Sequence, residues 1–411
     1  MTKADFIMTN AGLLFRAGAQ AASLLIITRI FGVSDYGAIS VLVALTTMLS
    51  PISGLGMDTV LVRRVVSDRS SFRLIWGQAL VTAALSSVIF ASLVLLIFIA
   101  VLPGVVSSIV ILMVAIADLL FGRWLDCCSR ALLAHDRGAV AAWVPSGASL
   151  TRLIGLLVLL FLGKDVNLVD WALVYSLGAI LPAVITVLWC SEKFGWPLFF
   201  FKDWCVAVRQ GLVFALDQSA ERGRTDADKV LLANIRGAEA AGWYALAFRF
   251  VSLAAIPISA FLFLTYNRFF KEGHLGTAAV LSYTFARMFE FIVPIILLAI
   301  ILSLASSAIV GLFGAGYTQS GEILTYLAML LPILLIRQLF ANGLIGAGLE
   351  RFRLGGGIFV LAINVLLNIL LIKEFGWGGA VVTAIVSETL LASFYILILT
   401  KIGRKRFRNE C

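Results

Sequence analysis

Runs of about twenty apolar residues, enough to cross ~30 Å of hydrocarbon at 1.5 Å per residue, recur along the whole chain with only short polar breaks. The pattern predicts spans at 10–30, 37–57, 74–101, 105–121, 139–162 and 169–189. A second set follows at 211–234, 242–267, 280–304, 321–344, 355–372 and 378–399. The fold class is therefore an all-α polytopic membrane protein of about 12 transmembrane helices. No stretch is left over for a soluble domain. The seventh span is the least apolar, because Glu221, Arg222, Arg224, Asp226, Asp228 and Lys229 crowd into it. Parity still requires it: the basic connections before 211 and after 267 belong on the same side, so the chain crosses twice between them.

Composition agrees with this class. Of 411 residues, 61% are hydrophobic and 13% charged, with mean hydropathy +1.03, whereas a water-soluble globule carries roughly 25% charged residues. With the N-terminus inside, the inside connections hold 20 basic residues. They are Lys3; Arg63, Arg64, Arg69, Arg73; Arg123, Arg130, Arg137; Lys193, Lys202, Arg209; Arg268, Lys271; Arg351, Arg353; and Lys401, Arg404, Lys405, Arg406, Arg408. The outside connections hold Lys164, Arg236 and Lys373. The positive-inside rule then puts both termini in the cytoplasm. The net charge of +9 is mostly topology, and no nucleic-acid partner is implied. Arg16 and Gln20 interrupt the first apolar run and no small-x-small site follows it, so the first helix is expected to stay rather than be cleaved as a signal peptide. The five cysteines, Cys127, Cys128, Cys190, Cys205 and Cys411, form no CxxC pair and no Cys/His ligand spacing, and read as reduced structural thiols on the cytoplasmic side. His135 and His274 have no second ligand nearby, and GxxxxGK[ST] is absent. No metal, cofactor or nucleotide site is expected, which leaves an ion gradient, the membrane potential or removal of substrate as the energy source.

The chain repeats itself weakly. The GVSDYG of 32–37 has the same Gly-x4-Gly spacing as the GAEAAG of 237–242, at an offset of 205 residues. PISG at 51–54 is echoed by PISA at 257–260, and LAHDR at 133–137 by AGLER at 347–351. Duplicated six-span units keep one orientation, so two pseudo-symmetric six-helix bundles, 1–204 and 205–411, are expected with a substrate path between them. This is a transporter plan; no selectivity-filter loop or ring motif marks a channel.

Charges stand where lipid should be. Arg16, Arg29, Arg152, Arg222, Arg224, Lys229, Arg249, Arg287 and Arg337 lie in spans or at their edges. So do Asp118, Asp217, Glu221, Asp226, Asp228, Glu290 and Glu388. Each costs at least a few kcal/mol at the bilayer centre unless it meets water or a partner, which implies a wet lumen. Asp217, Glu221, Arg224 and Asp228 share one helical stripe, which reads either as lumen lining or as a salt-bridge ladder. Arg222, Asp226 and Lys229 form a second stripe. Arg16, Arg249 and Arg337 have no acid three or four residues away on their own helix and, with Arg224, are the candidate anion-binding residues. Asp217, Asp228 and Glu290 are the candidate coupling acids, although Arg287 and Glu290 are spaced to pair with each other. Asn364 and Asn368 share a face suited to interhelical hydrogen bonds. Pro51, Pro145, Pro182, Pro257, Pro294 and Pro332 fall inside spans and allow bends.

The segments RIFGVSDYG at 29–37, DKVLL at 228–232, GWYALAFR at 242–249, FGAGY at 313–317, NVLLN at 364–368 and GWGGA at 376–380 carry a resemblance over nearly the whole chain. It resembles the Wzx-type O-antigen and repeat-unit flippases of the polysaccharide transporter family. These belong to the superfamily that also holds the multidrug-and-toxin exporters and the lipid II flippase. About twelve spans suit Wzx-type members better than the lipid II flippase, which has fourteen. The resemblance implies no enzyme and no cofactor. It implies translocation of an undecaprenyl-diphosphate-linked oligosaccharide, of the kind used in lipopolysaccharide assembly, across the bacterial cytoplasmic (inner) membrane. Membrane lipid is a partner, with the polysaccharide polymerase and chain-length machinery as further ones. It also implies a cationic lumen and a proton-linked cycle, which here would fall to acids such as Asp228 or Glu290. The alternative is a cation-coupled exporter of small amphiphiles; the excess of span arginines over acids favours an anionic substrate. A membrane-embedded glycosyl- or acyltransferase is disfavoured, because no outer loop is long enough to hold a catalytic site.

Overall fold

The computed structural model describes residues 3–162, 166–201 and 203–410. Lys164, Lys202 and Cys411 lie outside the described residues, as do the side chains of Lys3, Arg404, Lys405, Arg406 and Arg408. The described residues contain helices and no strand. The chain divides into two compact units, Met1–Asp226 and Ala227–Cys411. The first unit holds α1 (Lys3–Ile30), α2 (Val33–Ser53), α3 (Met57–Ser67), α4 (Phe72–Val101), α5 (Ser108–Ile116), α6 (Arg123–Ala134), α7 (Gly138–Phe161) and α8 (Leu168–Phe194). α9 (Trp204–Arg236) starts in it and ends in the second unit. There it is followed by α10 (Ala238–Ala254), α11 (Ile256–His274), α12 (Thr277–Leu304), α13 (Ser306–Gly311), α14 (Thr318–Leu327), α15 (Leu330–Gly346), α16 (Glu350–Phe375) and α17 (Trp377–Glu410).

Each predicted span falls on helix, with turns or irregular backbone at 54–56, 105–107, 162, 255 and 328–329. Among the described residues, nine helices are long and apolar enough to cross a membrane, or ten if α14 and α15, bent by 48° at their break, make one span. α9 is helical throughout but is not among them, because its charges lower its hydropathy. The outward faces are apolar: on α4, Leu85, Val88, Ile89 and Leu96 are exposed, and on α12, Phe289, Val293, Ile301 and Leu304 are. Exposed leucines beside buried Asp228, Arg224 and Arg337 invert the soluble pattern, as a hydrocarbon surrounding requires.

Irregular backbone marks four places among the described residues. α2 and α3 part at Leu55 (φ 46°) and Gly56 (φ 67°), both left-handed. A Cβ on Gly56 would sit 2.1 Å from the Gly211 carbonyl oxygen, and one on Gly211 2.2 Å from that of Leu55, so the turn touches α9 backbone to backbone. The α5–α6 helix is interrupted by a π-helical turn at Ala117–Gly122, and the α14–α15 pair by its bend just ahead of Pro332. Pro257 likewise opens α11 after a break at Ala255, whereas Pro51, Pro145, Pro182 and Pro294 sit inside helices.

The basic connection after α2 is itself helical. Amphipathic α3 packs with α6 and the start of α4 around Met57, Leu61, Phe72, Trp76, Cys128 and Leu132. Arg123 does not lie in an open connection: it is buried, 3.0 Å from the buried carboxylate of Asp58 and 2.8 Å from Asp126. Gly54 leaves its space, since a Cβ there would be 2.6 Å from Arg123 Nε.

Candidate functional site

In the second unit, the charge-rich α9 delivers Asp228 to a site where its side chain is almost wholly buried. Its carboxylate accepts from Tyr244 Oη of α10 at 2.8 Å and from Asn368 Nδ2 of α16 at 2.6 Å. The same Asn368 amide donates to Asn364 Oδ1 at 3.1 Å, and Asn364 Nδ2 donates to Ser387 Oγ of α17 at 3.2 Å. Four helices are thus threaded by one chain of hydrogen bonds ending on a carboxylate. In surroundings of low dielectric such a chain holds each member in one rotamer, and its bonds to the charged end are the strong ones. The expected interhelical role of Asn364 and Asn368 is realised here: four residues apart on α16, they face the same neighbours.

The first unit has its own polar cluster at the π-turn. Asp118 accepts from Thr46 Oγ1 at 2.6 Å and from Tyr175 Oη at 3.0 Å to each carboxylate oxygen, and lies 3.4 Å from Arg152 Nη2. Arg152 also donates through Nε to the Tyr175 carbonyl at 3.2 Å, and its guanidinium carbon lies 3.6 Å from the Tyr175 ring centroid. Gly178 makes room for the arginine stem, as a Cβ there would be 2.2 Å from Arg152 Cγ. Thr47, the next residue of α2, donates to Asp226 at 3.0 Å. A π-turn widens the helix locally and is frequent at functional sites; here it presents Asp118 to α2, α7 and α8 together.

The remaining candidates fall in several places. Arg337 reaches Glu388 of α17 in a nearly buried ion pair. Glu290 pairs with Arg287 one turn away, as their spacing predicts. Arg224 is buried, with Nη1 3.5 Å from the Ala220 carbonyl of its own helix. Asp217 and Arg249 are half-buried, and Arg16 is exposed on α1. On the expected stripe, Glu221 is exposed whereas Arg224 and Asp228 are buried, and Asp228 meets hydroxyl and amide in place of open water. Sequence reasoning did not assign Thr46, Tyr175, Tyr244 or Ser387 a place in these clusters. The one available signal was that Asp118 and Arg152, on different spans, each need a partner. Among the described residues no group of three or more His, Cys, Asp or Glu is placed to hold a metal ion.

No curated protein matches the chain. Among solved structures, the inward-facing conformation of a multidrug resistance MATE transporter of the MOP superfamily is similar at TM-score 0.77 and 13% identity, over 98% of each chain. The lipid II flippase MurJ in an inward closed conformation is similar at TM-score 0.74 and 13% identity, over 96% of this chain and 87% of that one. A MOP transporter from Pyrococcus furiosus with a reversed polarity of its binding pocket is similar at TM-score 0.67 and 14% identity, over 98% and 94%. At these identities the likeness establishes the fold: that of the MOP transporters. The sequence model described as polysaccharide biosynthesis protein matches residues 3–266, more than half of the chain. The chain belongs to the polysaccharide biosynthesis protein family.

Proposed function

We propose that the protein is a flippase that carries an undecaprenyl-diphosphate-linked oligosaccharide repeat unit from the cytoplasmic to the periplasmic leaflet by alternating access. The observation that carries this reading is the coincidence of the polysaccharide biosynthesis family match with a transporter fold whose helices bury cations and carboxylates. A diphosphate brings about two negative charges and a glycan needs polar company, while the polyprenyl tail can stay in lipid. Arg16, Arg224 and Arg249 engage the diphosphate during passage, because a guanidinium stays charged in poorly solvated surroundings and its fork matches phosphate oxygens. Arg337 joins them by exchanging Glu388 for phosphate. Asp228 couples the cycle to an ion gradient through the hydrogen-bond chain from Tyr244 to Ser387, with Asp217 and Glu290 as further acids. In this reading two six-helix bundles, 1–204 and 205–411, alternate access with both termini in the cytoplasm of a bacterial cell. The product goes to a polysaccharide polymerase and its chain-length machinery, as in O-antigen assembly.

The test is lipid-linked oligosaccharide in the cytoplasmic leaflet of cells expressing Arg16→Ala, Arg224→Ala and Arg249→Ala together at wild-type level. Accumulation is expected, with partial recovery when lysine replaces alanine. Normal export of glycan would sink the binding role, and export of cationic amphiphiles with no effect on glycan would favour the small-molecule exporter.

A further inference from the structure

The connection between α8 and α9 is laid along α4 rather than looped into solvent. At Gly195 (φ +120°) a Cβ would be 2.8 Å from Arg73 Cγ. The Leu198 N–H donates to the Arg73 carbonyl at 2.9 Å, and Gly77 must lack a side chain because a Cβ would meet the Leu198 carbonyl oxygen at 2.2 Å. Gln78 Nε2 then donates to the Phe200 carbonyl at 3.0 Å, and Trp204 Nε1 to Thr82 Oγ1 at 2.8 Å. The anchor points advance along α4 from Arg73 to Gln78 to Thr82, a rise of about 13 Å at 1.5 Å per residue. They advance from the arginine-rich end of α4 toward its exposed apolar face at Leu85, Val88 and Ile89.

The backbone of this strap is thus held in place while its large side chains point outward. Trp196 is 58% exposed, Phe200 62% and Phe201 70%. Beyond exposed Asp203, the first half of α9 also exposes apolar Val206, Val213 and Leu216. Exposed cations flank it at Arg73, Lys193 and Arg209. Amphipathic rings next to cations, at the edge of a lipid-facing surface, match the boundary between headgroups and acyl chains, and the cations match anionic headgroups.

We propose that residues 195–201 form an interfacial anchor, with Trp196, Phe200 and Phe201 inserted at the headgroup–acyl boundary of the leaflet on the basic side, and that this anchor sets the depth of α9. The occupant is lipid. The inference is independent of the transported substrate: it stands or falls on the position of the strap in a bilayer.

The test uses the full chain in vesicles of phosphatidylethanolamine and phosphatidylglycerol, with Cys205 and Cys411 replaced by serine. A spin label is attached at Phe200→Cys, Phe201→Cys or, as a reference beyond the strap, Ser70→Cys. Labels at positions 200 and 201 are expected to be relaxed several-fold more by oxygen than by a water-soluble nickel chelate, and the label at 70 the reverse. Nickel access at 200 and 201 equal to that at 70 would overturn the proposal, as would shielding from both reagents, which would mean a protein partner covers the strap. In a second experiment the label sits on the native, exposed Cys205, in a chain that retains it and carries Phe200→Asp with Phe201→Asp. Nickel access at Cys205 is expected to rise several-fold; no change would remove the anchoring role.

Discussion

The backbone contact between the α2–α3 turn and α9 can be tested with three glycines that differ in one property at a time. Gly56 has both a left-handed φ of 67° and a Cβ position 2.1 Å from the Gly211 carbonyl oxygen. Gly211 lies inside helix α9 and has the close approach alone, 2.2 Å to the Leu55 carbonyl oxygen. Gly237 has a positive φ of 90° alone, with nothing within 4 Å of a Cβ. Alanine at Gly237 is expected to cost about 1–3 kcal/mol, because φ 90° with ψ 169° is a conformation that an L-residue adopts only under strain. Alanine at Gly211 forces two backbones apart by about 1 Å, an overpacking cost of about 1–3 kcal/mol. Helix propensity returns about 1 kcal/mol there, leaving about 0–2 kcal/mol. At Gly56 the steric cost of a left-handed L-residue, about 1–2 kcal/mol, adds to the overpacking with no return, so about 2–5 kcal/mol is expected. Thermal unfolding of the purified variants in one detergent, followed by intrinsic fluorescence, should rank Gly56→Ala lowest by several degrees. Gly56→Ala melting with Gly237→Ala would refute the reasoning, because it would mean that α9 has slack at this contact. The outcome bears on transport too: α9 also carries Arg224 and Asp228, so a displaced helix should lower export more than stability alone explains.

Asp228→Asn keeps the size of the side chain but removes its charge, and should reduce glycan export at least tenfold at unchanged protein level; wild-type export would rule out coupling at this carboxylate. Arg337→Ala strands the buried Glu388 carboxylate, at about 3–5 kcal/mol, so the variant should be scarce in membranes and be restored by adding Glu388→Gln, as immunoblots of membrane fractions would show. Tyr175→Phe removes the hydroxyl shared by both Asp118 oxygens and should cost about 1–3 kcal/mol in thermal unfolding. His135 stacks on Phe194 with centroids 4.0 Å apart, and burial, reinforced by the neighbouring Arg69 charge, lowers its pKa below the ordinary 6.5. A lowered value means that the folded protein binds this proton less readily than the unfolded chain. The stabilisation is therefore present above pH 6.5 and fades as pH falls below it, and His135→Phe should flatten that part of the melting-temperature profile.

Most of the spans were legible because hydrocarbon selects long apolar helices strongly, whereas α9, rich in charge, is a helix that parity alone marks as a crossing. Pairs close in sequence were legible as well: Arg287 with Glu290, and Asn364 with Asn368, follow from helical spacing alone. Arg337 with Glu388 was not, because the partners lie on separate helices and each looks solitary along the chain. Asp58 with Arg123 was hidden for another reason. Both stand in basic, polar stretches that read as solvent-facing connections, and only the packing of α3 on α6 buries them. Tyr244 was invisible as a partner of Asp228, since a tyrosine in an apolar helix carries no mark of which group its hydroxyl meets. The strap at 195–201 likewise hides in its composition: six of its seven residues are apolar, and nothing in that order says that the backbone is tied to α4.

The repeat gives these ion pairs a common logic. At the 214-residue offset that relates 133–137 to 347–351, the π-turn at Ala117–Gly122 falls at 331–336, beside the α14–α15 break. Each unit therefore interrupts the same span. Each also sets a nearly buried charge at or near the interruption and answers it from a later helix: Asp118 with Arg152 in the first, Arg337 with Glu388 in the second. These pairs are not counterparts of one another, because the same offset brings Asp118 onto Pro332 and Arg337 onto Arg123. Arg123 is likewise a buried arginine, answered by Asp58 and Asp126. A buried arginine closed by carboxylates in both units is what a structural clamp beside a weakened helix requires, since removing either partner strands a buried charge. On that ground the anion-binding role belongs first to Arg16, Arg224 and Arg249, and Arg337 is the arginine whose replacement should be the most damaging to the fold.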